Sequence, residues 1–338
     1  MVDAAVLSTE VPAFSVEEAR DLVRRHWDCE PVSVARLASE RDQNFRVDAA
    51  AGRFVLKIAN RAEPPGVTRL QSAALRHVAA TDPGVPVPRV LATRSGAYET
   101  VAAGSTVRLL SWMEGVPWYL APASRAQRES VATGHARLVL ALAGFGADEP
   151  GADLQWDVQH AARLRDQLGA VPAELRAPVE AALDRFESRA APLLAQLPRQ
   201  FVHNDIQPHN VVVEAGGTDR LAGILDFGDM VRTPVACDLG VAAAYHVLPG
   251  AHPLASVGEY VAAFHAVRPL GDAELEALPA LILARQATTI VITSRRALTH
   301  ADNAAYILRN QPTTRAGLAQ LLPLAHDDVV AYFRSLCP

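Results

Sequence analysis

Lysine is almost absent from this 338-residue chain: of its 32 basic residues only Lys57 is a lysine. An ammonium is compact and a guanidinium is a wide planar fork, so a lone lysine marks either a site where arginine will not serve or a chance survivor on a solvated strand. Cysteine is nearly as scarce. Cys29, Cys237 and Cys337 lie far apart and are odd in number, which fits reduced thiols in a cytoplasm and excludes a disulfide framework. The eleven histidines show no spacing suited to zinc. No apolar run stands out as long enough to span a bilayer, and the first ten residues carry charge without a long apolar stretch, so neither a membrane contact nor a secretory leader is expected. A formal net charge of −5 gives no footprint for nucleic acid. Nothing in the sequence points to a partner protein.

What the chain has is apolar content. Half its residues are hydrophobic, enough for a sizeable core and for two lobes. Residues 1–14 read as disordered. Ser15 followed by Glu18 is a capping box, which predicts a helix over 16–27. Strand patterns follow at 32–37, 44–47 and 53–59, the last short and apolar around Lys57. A helix is expected over 67–80 and strands over 98–101 and 106–112. After Gly115 and Pro117 the character changes to amphipathic helices, at about 125–143, 158–168, 172–196, 257–265, 272–298 and 325–336, interrupted by one strand-rich stretch at 201–227. The expected class is α+β with two lobes: an N-terminal lobe over 1–110, a hinge over 111–117 and a mostly helical C-terminal lobe over 118–338.

The densest chemistry lies in His203-Asn204-Asp205-Ile206-Gln207-Pro208-His209-Asn210, followed by an apolar strand, a Gly216-Gly217 turn and Asp226-Phe227-Gly228. Two short strands would present His203, Asp205, Asn210 and Asp226 at one edge. Each Asp or Asn alone is ordinary turn chemistry; together they form the set that phosphoryl transfer needs. One carboxylate, Asp205, orients a hydroxyl and takes its proton. Asn210 and Asp226 offer hard oxygens to magnesium. Lys57 meets the phosphates that are not transferred. His203 could be a ligand or base, but in such a loop a histidine more often orients its neighbours.

These residues carry a resemblance. The stretch from His203 to Asn210, with Asp226-Phe227-Gly228, resembles the catalytic loop and metal motif of the aminoglycoside phosphotransferase and choline kinase superfamily, relatives of protein kinases. The residues around Asp226-Phe227-Gly228-Asp229-Met230, Thr233-Pro234 and Cys237-Asp238-Leu239, with Leu154-Gln155-Trp156-Asp157, are similar to the hydroxylysine kinase branch. The resemblance implies a bilobal protein-kinase-like fold, a magnesium-dependent nucleotide (ATP or GTP) and a small-molecule acceptor. It implies that Lys57 is the lysine of the third strand and that Ser111 and Met113 belong to the hinge beside the purine. The turn from Ser39 to Asn44 would cover the phosphates, without the glycines usual there. The family's helix glutamate, partner of that lysine, falls at Gln71, and its usual glycine after the motif histidine is Asn204, which also tolerates positive φ.

The substrate end is less defined. Asp229 could face a substrate amine or act as a cap. Trp156 could line the site by cation–π attraction, though Trp112, Trp118 and Trp156 are by default core residues. Arg285, Arg295 and Arg296 could grip a carboxylate, with a solvated helix face as the plainer reading. The expected activity is transfer of a γ-phosphoryl group to an amino alcohol or hydroxy amino acid such as 5-hydroxylysine. The alternatives are an aminoglycoside O-phosphotransferase, a choline- or homoserine-type kinase, and a pseudokinase.

Overall fold

The computed structural model describes residues 11–39, 41–146 and 153–338. Helix α1 (Val16–His26) begins at the expected capping box: the Ser15 hydroxyl accepts from Glu18 N at 3.1 Å, and Glu18 returns the bond to Ser15 N at 2.7 Å. Residues 1–10 lie outside the described residues. The expectation of disorder up to residue 14 needs correcting at its end, because Phe14 exchanges two backbone bonds of 2.8 Å with the buried Gln43 side chain.

Strands β1 (Pro31–Leu37), β2 (Gln43–Ala49) and β3 (Gly52–Ile58) precede α2 (Pro65–Thr81) and the hairpin of β4 (Thr100–Ala102) and β5 (Ser105–Ser111). They form an antiparallel sheet in the order β1-β2-β3-β5-β4. Period-two alternation on β3 buries Phe54, Leu56 and Ile58 under α1, and turns Val55 and Lys57 to the opposite face. The turn expected to cover the phosphates joins β1 to β2; Glu40 lies outside the described residues.

After β6 (Val116–Pro117) come α3 (Arg125–Leu142), a 3₁₀ segment Val158–Ala170, α4 (Ala173–Arg185), a π turn Phe186–Ala190 and α5 (Ala191–Leu194). Two predicted α-helices are thereby corrected. Residues 158–168 are wound as 3₁₀, with the Asp157 carboxylate holding the backbone of Gln159 at the start and a non-helical His160 inside. Residues 172–196 are broken by the π turn just before Pro192, whose ring and missing N–H disrupt a continuous α-helical ladder.

Strands β7 (Arg199–Val202), β8 (Val211–Val213), β9 (Leu221–Ile224) and β10 (Val231–Pro234) carry the motif residues between them. Strand β8 lies between β6 and β9, and β7 pairs with β10. The chain closes with α6 (Val235–Ala243), α7 (Ala255–Val267), α8 (Asp272–Thr299), α9 (Ala304–Ile307), α10 (Gln311–Leu321) and α11 (His326–Leu336). Helix α8 departs from the amphipathic expectation. Every residue from Ala277 to Ser294 is buried. Its mean hydropathy reaches 1.4 over 18 residues, long and apolar enough by composition to cross a membrane, yet 94% of that window is buried inside the protein. It is a core helix, apolar on nearly all sides because other elements surround it.

The hinge depends on Gly115, with φ +152 and no room for a side chain: a Cβ there would lie 2.5 Å from the Val213 carbonyl oxygen. Gly115→Ala is therefore expected to lower stability by about 1–3 kcal/mol. A urea midpoint equal to that of the parent protein would refute this.

Candidate active site

The loop between β7 and β8 is shaped by its backbone anchors. Asn204 adopts φ 64, and its N–H donates to Asp238 Oδ1 at 2.7 Å. The other oxygen of Asp238 receives His135 Nε2 at 2.8 Å, and His135 Nδ1 meets the Tyr260 hydroxyl at 3.0 Å. Asp238 and His135 are wholly buried. Burial pushes the Asp238 carboxyl up, but His135 overcomes this and holds it below the ordinary value. His203 Nε2 donates to the Leu225 carbonyl at 2.9 Å, so its Nδ1 is the acceptor for Asp205 N at 3.2 Å. Both ring nitrogens serve the backbone of the loop, an arrangement that positions rather than reacts.

Beside this loop, Asp205 Oδ2 accepts from Gln207 at 2.7 Å and from Asn210 Nδ2 at 2.6 Å, and its Oδ1 from Arg285 at 3.0 Å. Asn210 Nδ2 also reaches the Asp205 carbonyl, so its amide nitrogen is committed to Asp205 and its oxygen faces elsewhere. Asp226 stands at the end of the following strand with φ 58; its Oδ1 accepts from Gly228 N at 3.2 Å and lies 3.5 Å from Lys57 Nζ. Lys57, Asp205, Asn210 and Asp226 line one cavity of about 340 Å³. A second cavity of about 350 Å³ opens from it between the sheet and the hinge, walled by Leu37, Val55, Trp112, Met113, Val212 and Phe227. A flat apolar slot leading to an ammonium, two carboxylates and an amide is what a purine nucleotide and its phosphates require.

A family model described as the phosphotransferase enzyme family matches residues 33–278. The chain belongs to the phosphotransferase enzyme family. It is similar to hydroxylysine kinase of Mus musculus (25% identity, 94% of this chain and 92% of the relative) and of Xenopus laevis (26%, 96% and 92%). It is also similar to homoserine kinase of Rhizobium johnstonii (30%, 61% and 62%). Among solved structures, a microcompartment-associated aminopropanol kinase aligns with TM-score 0.62 at 16% identity, over 96% of this chain and 95% of that one. A spectinomycin phosphotransferase in complex with ADP and spectinomycin aligns with TM-score 0.65 at 10% identity, over 96% and 99%. These likenesses establish the protein-kinase-like fold of this phosphotransferase, and the family makes it an enzyme of the kinase type.

Several expected site residues of the phosphotransferase have other partners than foreseen. Gln71 does not take the place of the helix glutamate: its Oε1 accepts from Arg108 at 2.8 Å. The β3–β5 register sets Arg108 next to Lys57, and a buried guanidinium must find an acceptor. The carboxylate that faces Lys57 from the sheet side is Asp42 on the covering turn, at 3.8 Å. Asp42 lies in the polar turn but stood out from nothing around it in sequence. Ser39 lines the cavity, with its hydroxyl bonded to the Asp42 carbonyl, and Asn44 borders both cavities. At the hinge, Ser111 and Met113 both line the slot; the Ser111 N–H donates to the Arg89 carbonyl, and its hydroxyl accepts from Arg89 N.

The substrate end is also corrected. Asp229 lines the cavity, and Arg41 bridges to its Oδ1 at 2.8 Å from across the cleft. Arg285 is no solvated residue: it is buried on α8, ion-paired to Asp205, bonded to the Tyr245 hydroxyl at 3.2 Å and 5.0 Å from the Trp156 ring centroid. Arg296 lines the cavity, and Arg295 meets Gln167 outside it. Trp118 is core, donating to Gln127 at 2.6 Å. Tyr245, Glu63 and Arg309 line the cavity without having been foreseen.

The charges act on one another. Lys57 holds the Asp226 carboxyl well below the usual carboxylate range, against the effect of burial. Burial pushes Asp205 up, Arg285 opposes this and Asp229 adds to it, leaving the group above its ordinary value. Glu63 is pushed up to about 7, first by burial and then by Asp42. An unfolded chain releases that proton near its ordinary value of 4.5, so the folded form keeps a proton that the unfolded form has lost. Stability therefore falls as pH rises through this window and levels off above it. Glu63→Gln should remove the slope. Thermal melts should show the variant gaining on the parent from about pH 4.5 to 7, with no further gain beyond; a constant difference would reject the assignment.

Proposed function

We propose that this phosphotransferase moves the γ-phosphoryl group of ATP or GTP to the hydroxyl of a small amino alcohol or hydroxy amino acid, with 5-hydroxylysine the leading acceptor. The observation that carries the reading is the convergence of Lys57, Asp205, Asn210 and Asp226 on one cavity at the mouth of an apolar slot.

In this reading the slot beside Met113 holds the purine and Lys57 meets the non-transferring phosphates. Magnesium suits the site, since Asp226 is kept ionised and the amide oxygen of Asn210 is left over once its nitrogen has bonded Asp205. When bound, that ion would neutralise charge on the phosphoryl oxygens. Asp205 orients the acceptor hydroxyl and accepts its proton; the upward shift imposed by burial makes it a better base than an exposed aspartate. His203 and Asp238 fix the loop on which Asp205 stands.

The acceptor class draws support from two sides. The curated relatives above are named for hydroxylysine and homoserine, both hydroxy amino acids. The cleft beyond Asp205 holds Arg285, Arg296 and Arg309, a set that would repel a polycationic aminoglycoside and tolerate a carboxylate.

Asp205→Asn is expected to lower turnover by about two to four decades while nucleotide affinity stays within a few-fold. Single-turnover assays alongside nucleotide titration test this, and near-normal turnover would remove Asp205 from its role. Asp226→Ala should abolish the magnesium dependence of nucleotide binding; calorimetry giving the parent affinity in magnesium would refute it.

A further inference from the structure

Behind the catalytic loop lies an inner cavity of about 230 Å³, continuous with the catalytic one through His209, Tyr245, Arg285, Thr289 and Asn310. Its composition differs from that of the main cavity. The catalytic cavity has five carboxylates, Asp42, Glu63, Asp205, Asp226 and Asp229. Among the described residues lining the inner one, none is acidic. Its walls combine apolar surface, including Pro208 and Ala244, with the Arg285 guanidinium and the amide, hydroxyl and imidazole groups of neighbouring side chains. Burial holds the His209 imidazole below its ordinary value, with Arg309 acting in the same direction.

Two side chains in this wall have unused hydrogen-bonding capacity. Arg285 is 3% exposed, and only its Nη2 is engaged, by Asp205 and Tyr245; Nε and Nη1 find no partner. Gln286 is 1% exposed, and neither its Oε1 nor its Nε2 finds one. A buried donor left unmade is costly, more so on a charged group. Two such residues in sequence, within the buried run of α8 and lining the same cavity, are a site awaiting a polar occupant. The occupant's sign follows from the lining: with one guanidinium and no carboxylate among the described lining residues, it suits an anion and offers an ammonium no counter-charge. A planar carboxylate matches a guanidinium.

We propose that the inner cavity at Arg285 and Gln286 is the subsite for a carboxylate carried by the acceptor, so that the acceptor is a hydroxy acid rather than a simple amino alcohol. The inference rests on the reading of the cleft as an acceptor site for phosphoryl transfer. It assigns the two ends of the acceptor: the hydroxyl lies at Asp205, and the carboxylate lies beyond Arg285, so a linear chain bridges the guanidinium. Arg285 then connects the base to the bound substrate, and filling the inner cavity fixes the position of the group whose hydroxyl Asp205 must meet.

The test is calorimetric binding to the full chain with magnesium and ADP, using 5-hydroxylysine and the amino alcohol formed by its decarboxylation. The carboxylate form should bind about ten- to a hundredfold more tightly, the range of a hydrogen-bonded charge. Gln286→Leu should weaken the carboxylate form by about tenfold or more and leave the decarboxylated form within twofold. Equal binding of the two compounds to the parent protein, or binding of neither, overturns the subsite whatever the variant does, so the test does not depend on the variant folding. Phosphoryl transfer to each compound is measured separately. Preferential binding of the carboxylate form without transfer would leave the subsite standing and refute the proposed reaction.

Discussion

The site depends on one buried carboxylate that never meets a substrate. Asp238 sits at the start of α6 with no access to solvent, one oxygen on the backbone of Asn204 and the other on His135. A charge so placed is tolerable only with its partners in place. The requirement runs both ways: the core supplies His135 and Tyr260, and the carboxylate in turn holds a backbone in positive φ. Asp205, one residue further, is thereby aimed without spending its own hydrogen bonds on the scaffold. They remain for Gln207, Asn210 and Arg285, which tune it.

Charge in the cleft is arranged by distance from this anchor. Near Lys57 the ammonium keeps Asp226 ionised, while burial, helped by Asp42, pushes Glu63 up to about 7. Past Asp205 the balance reverses, and arginines and neutral amides take over. Asp205 stands at the boundary, with a guanidinium on one side and an amide on the other. Such a gradient orients a substrate bearing unlike charges before any close contact forms.

The placement of the loop that carries Asp205 was legible because its pattern is local. Asp205, Asn210 and Asp226 lie on short loops whose spacing survives folding, and Asn204 announced its positive φ by its residue type. Partnerships across the chain were not legible. Nothing local distinguishes Asp42 from other turn aspartates, and only the β3–β5 register reveals that Arg108 claims Gln71. The burial of Arg285 was hidden for a related reason. A helix with charges at intervals reads as amphipathic, but α8 is enclosed on nearly all sides, and its arginine is balanced by a carboxylate 80 residues earlier. The 3₁₀ and π segments also escaped, since they arise from capping and proline constraints that periodicity does not register.

Helix α8 carries both the packing of the C-terminal lobe and residues of the proposed acceptor cleft. Arg285, Gln286 and Thr289 lie within the same run as Leu281, Ile282 and Ile290, with no exposed turn between them. On the proposed reading, acceptor choice is therefore not held on an interchangeable surface loop. A lineage that drifts toward a new acceptor must alter a helix whose other faces are structural, so changes in preference should arrive together with compensating changes in the surrounding core, and rarely alone.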